Sequence, residues 1–347
     1  MNNYGLQQPY HANILPFAFS LVPVENYDHW VWFLNIVKEA LGSIERFTVV
    51  SDRMKGLLSA VHDVYPKAGH RFCLRHIKGN INSHGISLTG KERGIINDMA
   101  RADCERTFKT KPAAVDYLNG IDKKHWVKYK FQEQFKLPTY DEITSNLAEQ
   151  ANSWIGNDCR SAKPMDAFAL YFRKLSELVS DRRQMASNWL TKFPGTDLVP
   201  LLSCESKRLI IAGDRCNVTP CMEGAYNVRF LGKTQRPGFV HPWRLVDLPA
   251  KECTCGNWQD TCFPCVHAIS AAVSEGQPLD TLYDAKRMSI DYFNEISVSP
   301  MAHRCPSHNG LNRSGTPIQS DPPELGKRGL KPGPKPKHKR KKTKGGN

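Results

Sequence analysis

The sequence predicts an α/β chain with a small cysteine–histidine module near its C-terminal end and a disordered basic tail. Three observations predict it. Short apolar strands alternate with amphipathic helices over the first 90 residues. Four of the 11 cysteines crowd into residues 253–265, and residues 327–347 hold ten Lys/Arg and no acid. The 347 residues suffice for about two domains plus tails, and a hydrophobic content of 40% is enough to bury a core.

Residues 1–10 (MNNYGLQQPY) carry no pattern, and residues 14–22 (ILPFAFSLV) form an apolar run of strand length. Residues 26–41 read as a helix, because Trp30, Trp32, Phe33, Ile36 and Val37 recur at the spacing of one buried face. A second strand is expected over residues 47–50, and a helix over 54–64 with Leu57, Leu58, Val61 and Val64 on one side. A short segment, AGHRFC, and a helix from Leu74 follow. This alternation argues for a layered α/β structure with some parallel pairing. From residue 91 to 190 the pattern is mainly helical, clearest over 148–155 and 165–186; residues 194–217 look irregular because Pro and Gly punctuate them. Residues 226–231 and 239–248 read as the two strands of a hairpin, and a helix is expected over 266–273. No internal repeat is visible.

The formal charge of +14 is uneven, since residues 327–347 carry +10 and leave about +4 for the other 326. Such a tail suits a phosphate backbone or an acidic surface, because bound Lys and Arg release condensed counterions. No stretch approaches the roughly 20 apolar residues of a membrane span, and no secretory signal pattern precedes residue 20. The chain is expected to work inside the cell without a membrane. There, tight Cys/His spacing points to a metal rather than to disulfides.

The sharpest local signal is Cys253-Thr-Cys255-Gly-Asn-Trp-Gln-Asp-Thr-Cys262-Phe-Pro-Cys265-Val-His267. Cys253 and Cys255 share one side of an extended strand, Gly256 permits a tight turn, and Pro264 leads into a helix whose mouth presents Cys265 and His267. Together they supply four ligands for one zinc ion, a closed set that stabilises rather than hydrolyses. Cys262 is a fifth cysteine, read as a loop residue or a substitute ligand. The order CxC…CxH, with Trp258 and Pro264 between, resembles the SWIM-type zinc finger over residues 226–273.

Further segments recur in order: Pro16-Phe-Ala-Phe, Glu25-Asn-Tyr-Asp-His-Trp-Val-Trp-Phe-Leu, Ser51-Asp52-Arg, His70-Arg-Phe-Cys73-Leu-Arg-His76, and Thr144-Ser-Asn-Leu-Ala-Glu149-Gln-Ala-Asn152, with Arg160 and Pro164 behind. The series resembles Mutator-like (MULE) transposases over residues 14–300, including transposase-derived transcription factors of the far-red-response type. The resemblance implies an α/β fold with an incomplete RNase H-like core and a helical insertion, then the hairpin-and-helix zinc finger and the tail. Residues 1–190 would be the transposase-like part, helical from about 91. Residues 191–225 would connect it to the finger at 226–275, and 276–300 would add a short helical extension before the tail at 301–347.

The resemblance assigns Asp52 to the family's second catalytic acid and Glu149 to the third. Cys73 and His76 match its CxxH motif, which either arranges the site or binds DNA; ordinary packing is the equal alternative, and His70 is a candidate to join them in a metal site. The resemblance implies that the family's first acid lies on a strand upstream of the region matched by residue 1. A further acid before the segment matching Ile14 is replaced by Tyr10-His11-Ala12-Asn13, and residues 1–22 contain no acid. The expectation is therefore a vestigial site without nuclease activity; Mg2+ or Mn2+ would be held only by a complete core. An active Mutator-like DDE transposase whose N-terminal strand is missing from this sequence is the alternative.

In the tail, Lys335, Lys337, Lys339, Arg340, Lys341 and Lys342 are the expected DNA-binding cations. Pro332-Gly333-Pro334 replaces the Arg-Gly-Arg-Pro core of an AT-hook, so phosphate contact and nuclear import are expected rather than minor-groove reading. DNA is thus the expected partner and the nucleus the expected location. A protein partner or a second copy of the chain, held through the finger, is the third reading.

Overall fold

A computed structural model describes residues 18–42, 44, 46–105, 111–193, 198–232 and 240–298. Helix α1 spans Tyr27–Leu41 and is capped by Asn26, whose side chain accepts from His29 N at 2.9 Å. Strand β1 (Thr48–Ser51), helix α2 (Lys55–Val64) and strand β2 (Gly69–Phe72) follow. The two strands pair in parallel from Thr48↔Gly69 to Ser51↔Phe72, so AGHRFC contains a strand. Gly69 is required there: a Cβ would lie 2.7 Å from Phe131 Cζ.

Residues 18–22, within the run expected to be a strand, are irregular, and residues 14–17 lie outside the described residues. Their apolar character is used otherwise. Phe19 packs its ring on Phe168 and Tyr171, at centroid distances of 4.9 and 4.0 Å.

Helices α3 (Leu74–Ser83), α4 (Gly90–Ala100), α5 (Pro112–Asn119) and α6 (Lys128–Phe135) continue the helical layer. Helix α4 opens with a reciprocal capping box between Thr89 and Glu92. Phe72, Leu74, Ile77, Ile81, Ile96, Leu118, Trp126 and Val127 make the core between these elements. Helix α7 (Asn146–Ser161) bends at Gly156, whose φ is +81°, and α8 (Pro164–Lys192) is the longest.

The segment expected to be irregular over 194–217 is instead largely helix α9, Pro200–Gly213. Pro200 stands at its first position, where proline is favoured, and Gly213 at its last, so neither interrupts it. Residues 194–197 lie outside the described set. Strands β3 (Cys216–Met222), β4 (Ala225–Phe230), β5 (Arg244–Asp247) and β6 (Glu252–Cys253) form an antiparallel sheet in that order. The β4–β5 pair is the expected hairpin, with Tyr226 opposite Val246. Strand β3 is an edge strand, the place where Pro220 is tolerated.

Helices α10 (Asn257–Thr261), α11 (Val266–Glu275) and α12 (Ile290–Val298) complete the order. The whole is a mixed α/β chain. Among the described residues no helix is long and apolar enough to cross a membrane.

Candidate metal centre

Strand β6 ends at Cys253, and Cys255 follows two residues on. Gly256 then turns the chain with φ +71° and starts α10, where Trp258 is buried and its Nε1 donates to Leu282 O at 3.1 Å. Cys262, itself at φ +57°, ends α10; Phe263 and Pro264 lead to Cys265, which precedes the first turn of α11 carrying His267. Gln259 Nε2 donates to Cys253 O at 3.1 Å and ties α10 back to β6.

The ligating atoms of Cys253, Cys255, Cys265 and His267 all lie within 4.8 Å of one another. His267 Nδ1 stands 3.9 Å from Cys253 Sγ and 3.7 Å from Cys265 Sγ. With metal–sulfur and metal–nitrogen bonds of about 2.3 and 2.05 Å, a tetrahedral zinc site has S···N edges of about 3.6 Å. The cage therefore has the dimensions of such a site, and three thiols with one imidazole are a zinc-type donor set. Cys262 is exposed and stands apart from the group.

Thiol chemistry fits the same conclusion. Donation from Cys253 and Cys265, with His267 beside it, holds the Cys255 thiol well below its usual range. Sharing a proton with that thiolate, and burial, pushes Cys253 up to about 12 and Cys265 up as well. Three thiolates gathered in one buried cluster are stabilised together by a cation among them.

Around the cage, Tyr226, Val228, Val246, Leu248, Trp258, Ala268, Ala271 and Ala272 form a core that includes the three ligand cysteines. The alanines let α11 lie close on the sheet.

A residue with no local sequence signal joins this module to the helical layer. Asp260 of α10 is fully buried. Its Oδ1 accepts from Thr139 N (2.9 Å), Thr139 Oγ1 (2.6 Å) and Gln132 Nε2 (3.1 Å), and its Oδ2 from Asp141 N (3.0 Å). Lys128 Nζ lies 3.2 Å from Oδ2 and also donates to Asn257 Oδ1 at 2.6 Å. Burial alone would raise the Asp260 pKa, but Lys128, the Thr139 donors and nearby Arg71 hold it below the usual carboxylate range. Arg244 of β5 pairs with Asp103 in a second bridge to the same layer.

The other sequence-derived residues lie elsewhere. Asp52 follows β1 directly, and its Oδ1 accepts from Met54 N at 3.2 Å. Beside it, Ser51 Oγ meets His70 Nε2 at 2.7 Å, and His125 Nδ1 donates to His70 O at 2.7 Å. Burial, then the neighbouring His125, lowers the His70 pKa to about 4. Glu149 lies in the first turn of α7, with its side chain outside the described set. Cys73 is fully buried before α3, and its sulfur accepts from Ser145 N at 3.1 Å; His76 lies on α3. Among the described residues, the Cys253 group is the one that gathers three or more metal-ligating side chains, so His70, Cys73 and His76 are not brought together. Lys335, Lys337, Lys339, Arg340, Lys341 and Lys342 lie outside the described residues.

A family model described as the MULE transposase domain matches residues 6–80. The matched stretch contains α1, β1, α2 and β2, with Asp52, Cys73 and His76, and supports kinship with MULE transposases. It ends before Glu149 and the metal centre. No curated protein and no solved structure gives a significant match.

Proposed function

We propose that this is a transposase-derived, DNA-binding protein of the nucleus, in which Cys253, Cys255, Cys265 and His267 hold one structural zinc ion in a SWIM-type finger. The observation that carries the reading is a MULE transposase match in the same chain as a closed Cys3His cage of zinc dimensions. A four-ligand site of this kind supplies a cross-link between β6 and α11; it leaves no coordination position for a substrate. The protein's own groups do the rest. Trp258 and the alanines of α11 shield the cage, and the cations of residues 327–347 supply charge for a phosphate backbone.

An RNase H-like ancestry is supported by the parallel β1–β2 pair with Asp52 at the end of β1. Binding rather than cutting is the activity assigned, because among the described residues Asp52 is not gathered with other metal-ligating side chains. The test is titration of the full, zinc-loaded chain with duplex DNA at several salt concentrations. The expected result is a linear fall of log affinity with log salt, made shallower by deleting residues 327–347. Absence of salt-dependent affinity would overturn the reading.

A second reading is a Mutator-like DDE transposase, favoured by the placement of Asp52 just past a parallel strand. It requires Mg2+- or Mn2+-dependent strand cleavage that Asp52→Asn abolishes; supercoiled plasmid nicking measures it.

A further inference from the structure

We propose that the metal cage and the helical layer form one cooperative unit joined through Asp260: filling the cage fixes α10, and α10 captures Lys128 and the backbone of residues 139–141. The inference rests on the metal reading above and adds to it what the metal controls. Helix α10 has five residues and lies between Cys255 and Cys265, with left-handed residues, Gly256 and Cys262, at its two ends. A helix this short does not hold itself in water, so its position depends on the ligands on either side. From it, Asp260 receives three consecutive amides: Thr139 N to Oδ1 (2.9 Å), Tyr140 N to the backbone O (2.9 Å) and Asp141 N to Oδ2 (3.0 Å).

The captured segment cannot set its own conformation. Tyr140 and Asp141 have φ of +53° and +57°, in the left-handed region that side chains disfavour. Such backbone persists where its surroundings over-determine it, and here Asp260 is what it grips. Lys128 is 4% exposed and Arg71 1% exposed; Asp260 is the nearer carboxylate to Lys128, at 3.2 Å against 3.8 Å for Asp141, and the foremost of the acids acting on Arg71. Breaking the cage therefore frees α10, weakens the counter-charge around two buried cations and releases the strained turn. By linkage, contacts made far upstream in the sequence must raise the affinity of the cage for metal.

The test uses the full chain and Zn2+ in competition with a chelator of known affinity, with hydrogen exchange read at residues 139–141. Asp260→Ala is expected to weaken Zn2+ binding at least tenfold. Lys128→Met, which changes no residue of the finger, is expected to weaken it several-fold. Removing Zn2+ from the wild type should speed exchange at 139–141 at least tenfold while α3 and α4 stay protected. The proposal is overturned if both variants bind Zn2+ within twofold of the wild type, or if exchange at 139–141 is the same with and without Zn2+. A wild-type chain that takes up no Zn2+ at all would sink the metal reading itself, a different failure.

Discussion

All four residues of β2 are buried, whereas most of β3 is exposed along the open edge of its sheet. Among the described residues the first sheet has two strands, too few to be stable alone. It is held by apolar side chains from helices, with Phe72 meeting Leu74, Ile77, Ile96 and Trp126 in one cluster. The second sheet has four strands among the described residues, and three members of its core are the cysteines of the cage. One sheet is stabilised by area removed from water, the other by area plus coordination. The difference teaches where each half is vulnerable. The helical layer should fail by cavities, and the finger should fail by loss of a ligand.

The largest effect is expected from the ligand side. Cys265→Ala removes one donor from a kind of site whose binding free energy is about 10–16 kcal/mol in small zinc modules. Zinc content should fall to near zero, and Trp258 fluorescence should report solvent. Retention of one zinc per chain would break the comparison. Next comes the cavity side. Ile96→Ala, at a position with no exposed surface, should lower stability by about 2–5 kcal/mol in a denaturant titration. Zinc content should remain at the wild-type value.

Acid separates the two halves more finely. His70 has a folded pKa near 4 against an ordinary 6.5, so its neutral form is the one the fold accepts. Its contribution is intact above about pH 6.5 and is lost as pH falls toward 4, approaching roughly 3 kcal/mol from the full difference. His125 is lowered by burial too and acts in the same direction. Exchange of α3 amides at pH 7 and pH 5 should show the loss in the wild type and a smaller one in His70→Gln. Equal losses would show that the histidine is not the source.

Much of this was legible in the sequence, and what was not has a physical reason. The Cys/His spacing located all four residues of the cage, because a strand pair and a helix mouth are local geometries. The periodic stripes located α1, α2 and α8. Strand β3 escaped because its Asn, Pro and Cys residues are poor strand signals and its exposed edge imposes no apolar alternation. Helix α9 escaped because Pro200 and Gly213 look alike as breakers and as end residues. Asp260 was invisible for a different reason. Its hydrogen-bond partners lie 119 to 128 residues away in sequence, and no local pattern encodes a contact of that range.

Helix α8 carries one more consequence. Its 29 residues span about 44 Å at 1.5 Å per residue. Its buried stripe runs Ala167, Tyr171, Leu175, Val179, Arg182, Ala186 without interruption. Tyr171 meets Trp154 of α7 near one end, and Trp189 meets Phe293 of α12 near the other, at 5.0 Å. A single inserted codon in the middle would turn everything beyond it by about 100° and swing Trp189 off Phe293. Seven inserted residues, close to two turns, would restore the direction but push the far end about 10 Å onward. Descendants of this gene can exchange side chains along α8 freely on its outer face, yet its length is closed to small insertions and deletions.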